Sequence, residues 1–113
     1  KSSNLFHYVV VRKDITHGEQ LAQACHAAGE SPGPKPEPGC TMVVLHAADE
    51  HHLRLIAARL DKAGIQYGCV VECPDDDKYP SQLMAIGCAP TTDRTLMKRA
   101  LSSLPLARGP GGD

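Results

Sequence analysis

The chain has 113 residues, 42% of them apolar, which suits one domain with its own core and excludes both a disordered chain and a two-domain protein. A formal net charge of −1 gives no overall pull toward phosphate, and with no Trp, one Phe and three Tyr the core must be aliphatic, which argues against a nucleic-acid site of stacked aromatics. The five cysteines, Cys25, Cys40, Cys69, Cys73 and Cys88, are odd in number, irregularly spaced and without a CxxC pair, so reduced thiols and a cytoplasmic location are expected rather than a disulfide framework.

In chain order, residues 6–12 read as a strand. Their "YVVV" run is continuously apolar and mostly β-branched, the mark of burial on both faces. Thr16 then caps a helix over 18–30, with Glu19 three residues on to complete a capping box. "SPGPKPEPG" (31–39) has too many prolines for helix or strand and reads as a loop. "CTMVVLH" (40–46) is a second strand. Asp49 caps a helix to Ala63, stopped by Gly64, with Leu53, Ile56, Ala57, Leu60 and Ala63 on one face. "IQYGCVVE" (65–72) and "QLMAIGCA" (82–89) are strands around a turn at 73–81. "PTTDRTLMKRALSSL" (90–104) is a last helix started by Thr91 or Thr92, and 105–113 is a tail expected to be mobile. The order β-α-β-α-β-β-α predicts an α/β domain with a mixed sheet of about four strands between helix layers. No stretch reaches the length of a membrane span, and the first residues do not read as a signal peptide.

The opening helix poses the functional question. Leu21, Ala24, Cys25 and Ala28 share helical spacing and are expected to face the sheet, with Cys25 a core thiol rather than a nucleophile. Glu19, Gln23, His26 and Glu30 form the opposite stripe, which reads either as a solvated face or as a face turned toward a substrate. His51 and His52 read as surface residues, and Asp75, Asp76 and Asp77 as a solvated acidic turn. No group of His and Cys has the converging spacing of a metal site. Arg12 and Lys13 end the first strand, where open α/β sheets place ligands, and are the preferred phosphate contacts.

"YVVVRKDITHGEQLAQACHAA" resembles the opening of the type 2 peptidyl-tRNA hydrolases, whose signature is a valine-rich strand, Arg-x-Asp-Leu, and a Gly-Lys helix start followed by Ala-Gln-x-x-His-Ala. Arg12, Lys13, Asp14 and Ile15, then Gly18, then the run from Ala22 through Gln23 and His26 to Ala27 stand in those places. "CTMVVLHAADEHHLRLIAARLDKAGI" and "MAIGCAP" resemble the family's second strand, second helix and last strand, so the likeness runs from about residue 6 to 104. The turn after Glu72 is similar to that of the divergent peptidyl-tRNA hydrolase domain-containing branch.

That resemblance implies the type 2 peptidyl-tRNA hydrolase fold and cleavage of the ester between a peptide and the 3′ end of tRNA, with no cofactor and no metal. It implies that His26 and Glu72 orient or activate water, that Gln23 holds the substrate, and that Arg12, Lys13 and Asp14 organise the site, Asp14 among the catalytic residues and Arg12 and Lys13 among the substrate-binding ones. Peptidyl-tRNA is the expected partner, a membrane is not, and a homodimer stays open. Two positions depart from the pattern. Glu19 stands where the family has a lysine, and a carboxylate cannot replace an ammonium that holds phosphate or an oxyanion. Glu72 stands where it has an aspartate, and the Thr-Gln pair that follows is missing. The alternative is therefore a homologue that keeps the fold and binds tRNA or protein without catalysis. A protein-interaction module using the proline-rich loop is a third reading.

Overall fold

The buried Val-rich run becomes the strand on which the rest of the domain is built. In the computed structural model, which describes residues 4–33, 39–72 and 81–108, β1 (Phe6–Arg12) lies inside a four-stranded sheet with β2 (Thr41–Ala47), β3 (Tyr67–Glu72) and β4 (Gln82–Cys88), in the order β2-β1-β4-β3. β1 and β2 are parallel, while β4 is antiparallel to both β1 and β3, so the sheet is mixed. Strand alternation sends Val9 and Val11 of β1 toward α1 (His17–Glu30) and Tyr8 and Val10 toward α2 (Glu50–Ala63) and α3 (Arg94–Ala100). Both faces of β1 are thus covered, as its unbroken apolar run demands.

The larger core lies on the α2 side, where Leu53, Ile56 and Leu60 pack fully buried against Tyr8, Val10, Leu45 and Ile86. Asp49 caps α2 by accepting the His52 N–H, and Gly64 ends it in the left-handed region at φ 74°. The Thr16–Glu19 capping box of α1 is formed in both directions.

The last helix is shorter than its sequence suggests. Asp93, not a threonine, is its N-cap and accepts the Leu96 N–H, and the helix ends at Ala100. The segment after it is no free tail. Residues 105–107 lie antiparallel along the outer edge of β2, with His46 N–H donating to the Pro105 carbonyl and Ala107 N–H to that of Val44. The parallel strand pair leaves that edge unpaired, and the chain's own end covers it. Residues 109–113, the turn at 73–80 with its three aspartates, and 34–38 of the proline-rich loop lie outside the described residues.

The β3–β4 ladder slips register between Val70 and Val71, so that Val71 faces Leu83 while Val70 faces Ala85. At this irregularity Glu50 accepts the Leu83 N–H at 2.8 Å and Arg12 donates to the Leu83 carbonyl at 3.3 Å. Two charged side chains therefore satisfy the backbone groups of Leu83, which lies beyond the last β1–β4 pair, Val11 with Ala85.

Candidate active-site groove

Two glycines decide where α1 sits. Gly68 and Gly87 face each other across β3 and β4. A Cβ on Gly68 would run into the Glu30 carbonyl, and one on Gly87 into the Ala27 carbonyl and the Ser31 hydroxyl. The last turn of α1 can rest on the strands only because both side chains are missing. Pressed down at that end, the helix brings Gln23, His26 and Glu30 over the edge strand, and these three with residues 69–72 of β3 line an open groove of about 440 Å³. His26, Glu30 and Glu72 are exposed there and Gln23 is half-buried. The Gln23 side-chain carbonyl oxygen is buried without a hydrogen-bond partner.

Gln23, His26 and Glu72 thus come to one groove from separate elements, as the polar stripe allows. The other proposed site residues do not join them. Arg12 lies on the opposite face of the sheet, because it follows Tyr8 and Val10 in the alternation of β1. Its Nε and Nη2 donate to the two Asp14 carboxylate oxygens at 2.6 and 2.7 Å, and its Nη1 is taken by Gln82 and the Leu83 carbonyl. That fork fixes Asp14 and holds its carboxyl below the usual carboxylate range. Arg12 and Asp14 therefore brace the ends of β1 and β4, and the groove's lining among the described residues includes neither of them nor Lys13. Glu19 sits at the far end of α1, where its carboxylate accepts from the Thr16 backbone and hydroxyl.

The helix is also rotated from the sheet-facing stripe that apolar spacing suggests. Ala27 is fully buried with Ala24 and Ala28 beside it, whereas Leu21 is 57% exposed and Cys25 is exposed. Alanine on several sides of a helix gives it no strong apolar direction, and the glycine saddle supplies one instead. Cys25 is accordingly a surface thiol and not a core residue. The four described cysteines, Cys25, Cys40, Cys69 and Cys88, are all free, and Cys73 lies outside the described residues.

Two histidines that the motif reading passed over are buried on the α1 side. His7 Nε2 donates to Ser31 Oγ at 2.7 Å, since that hydroxyl spends its own proton on the Ala27 carbonyl. His7 Nδ1 is left buried and unpartnered, and burial pushes the ring's pKa below its usual value. His46 Nε2 donates to Gln20 Oε1 at 2.6 Å, while the Gln20 amide donates to the Lys13 and Ile15 carbonyls. Burial, then the nearby Lys13 and His17, lower its pKa too. Apolar strand neighbours in the sequence were the available sign that both would be buried.

Among the described residues no group of three or more His, Cys, Asp or Glu side chains could hold a metal ion, and no helix is long and apolar enough to cross a membrane. No known family model matches the chain, and no curated protein sequence matches it. Its fold is similar to that of a solved structure described as a protein of unknown function, Atu0240, from Agrobacterium tumefaciens strain C58. The superposition covers 94% of this chain and 99% of that one, with a TM-score of 0.62 and 13% identity. At that identity the likeness speaks for the α/β fold alone.

Proposed function

We propose that the protein is a carboxylic-ester hydrolase of the peptidyl-tRNA type, working in the groove between α1 and β3. The observation that carries this reading is the meeting of Gln23, His26 and Glu72 in one groove. An ester carbonyl set between His26 and Glu72 would have a proton-transferring imidazole and a carboxylate at hand, which is the equipment that activation of a water needs. The Gln23 side chain lines the same groove, where it would help hold the substrate. The groove's described charged residues, Glu30 and Glu72, are both acidic, so the tRNA phosphates belong outside it, on exposed basic side chains such as Lys13.

The test is single-turnover hydrolysis of an N-acetylaminoacyl-tRNA. The expected result is measurable cleavage that falls by about 10²-fold or more in His26→Ala and in Glu72→Gln. Cleavage that neither change slows would overturn the assignment. A second reading, a tRNA- or protein-binding homologue without turnover, is favoured by one feature. Position 19 holds a carboxylate, spent on the capping box, where the resemblance calls for a cation. Binding of tRNA with no cleavage would establish it.

A further inference from the structure

The two edges of the sheet are treated differently. The outer edge of β2 is covered by residues 105–107, which pair with it through two backbone hydrogen bonds. The outer edge of β3 has no strand beside it among the described residues, since β3 ends the sheet order and pairs with β4 alone. In an antiparallel pair alternate residues turn their N–H and C=O away from the partner, so β3 presents a row of such groups outward. Its guards are light: the register slip at Val70–Val71 and the charge of Glu72 stand at one end, "YGCVVE" has no proline and no lysine, and Val71 is 52% exposed.

This open edge is also the floor of the groove. Residues 69–72 line it along consecutive positions, and Gln23, His26 and Glu30, spaced as one helical face, form the facing wall. A helix standing beside a free strand edge is the geometry that receives an extended chain by strand addition. We propose that an extended peptide binds here as a fifth strand on β3, and that the site prefers basic to acidic side chains. Main-chain hydrogen bonds to β3 would hold it whatever its sequence. Glu30 and Glu72 are the charged groups of the described lining, and no Lys or Arg is among them, so the sign of the preference follows from Coulomb attraction. The inference rests on the ester-hydrolase reading only in naming the peptidyl chain of the substrate as the natural occupant. A hydrolase that must accept any peptide would gain from recognition through the backbone.

The probe is a blocked, fluorescein-labelled hexapeptide of alternating Lys and Val, with a Glu/Val counterpart and a Lys/Val version N-methylated at alternate residues. Binding is read by anisotropy, and hydrogen exchange maps the protected amides. The expected result is saturable binding of the Lys/Val peptide with new protection in β3, and affinities lower by about tenfold or more for the other two peptides. Glu30→Lys should narrow the gap between the Lys and Glu peptides. Absence of saturable binding, equal affinity of the N-methylated peptide, or protection away from β3 would overturn the proposal. So would a peptide-independent dimer, seen by sedimentation, that protects β3 in its interface. The N-methyl comparison needs no variant, so it decides the matter even where Glu30→Lys does not fold. Peptide binding without ester turnover would sink the hydrolase reading and keep this one, and turnover without strand addition would do the reverse.

Discussion

Gly68 on β3 and Gly87 on β4 are cross-strand partners, and together they form the seat for the last turn of α1. The groove exists because these two positions lack a Cβ. Gly87→Ala would place a methyl group against the Ala27 carbonyl and the Ser31 hydroxyl, so the helix must lift. The expected cost is about 1–3 kcal/mol of stability, a drop of several degrees in Tm. Any ester turnover should fall as well, since Gln23 and His26 move with the helix. An unchanged Tm would mean that the helix end is not pinned there.

Stability should fall as the pH drops below about 6.5, ahead of the carboxylates. His7 and His46 both have folded-state pKa values pushed below the ordinary 6.5, so in this range the unfolded chain binds more protons than the folded one. Stability is therefore full above pH 6.5 and is lost as the pH falls toward the folded values. A protonated His7 would carry a buried Nδ1–H with no acceptor. Denaturant melts of the wild type against His7→Gln should show a shallower pH dependence in the variant, and identical slopes would refute the buried-histidine origin. Asp14, Glu19 and Glu50, with lowered values, act in a separate window below about pH 4.5.

Arg12 is expected to behave as a structural residue. Arg12→Gln removes the fork on Asp14 and the donor to Leu83, at a cost of about 1–3 kcal/mol. Thermal melts measure it. A loss of tRNA affinity at unchanged Tm would instead make Arg12 a substrate contact.

At the start of α1, Thr16→Ala breaks the capping box and should cost about 1 kcal/mol. Glu19→Lys also breaks it, so Tm should fall slightly. If an ammonium there stabilises a phosphate or oxyanion, ester turnover should rise by up to about 10²–10³-fold. A gain that survives His26→Ala in the same background would show that the histidine takes no part. A wild type that outpaces the lysine variant would show that Glu19 belongs to the site.

Thiol labelling should separate the cysteines. Cys25 lies exposed on α1 and should alkylate quickly in the native protein, whereas Cys88 is fully buried and its pKa is pushed up to about 12. Quick labelling of Cys88 with Cys25 protected would mean that α1 is rotated from the position described. After unfolding without reductant every cysteine should label.

The sequence already carried the element order, the Thr16 and Asp49 caps and the Gly64 stop, because these depend on interactions within a few residues or on strongly periodic burial, as in α2. It also marked Gln23 and His26 as a polar stripe that packing did not require. Three things were decided only in three dimensions. The rotation of α1 came from the Gly68–Gly87 seat, formed by strands far along the chain, because its alanines give the helix no strong apolar side of its own. The parting of Arg12 from the groove came from the alternation of β1, whose two faces look alike in "YVVV" until helices cover them. The closing of the β2 edge by residues 105–107, with the β3 edge left open beside His26 and Glu72, came from sheet order. Backbone pairing between distant segments reads hydrogen-bonding groups that every residue carries, so side-chain patterning leaves it almost unmarked.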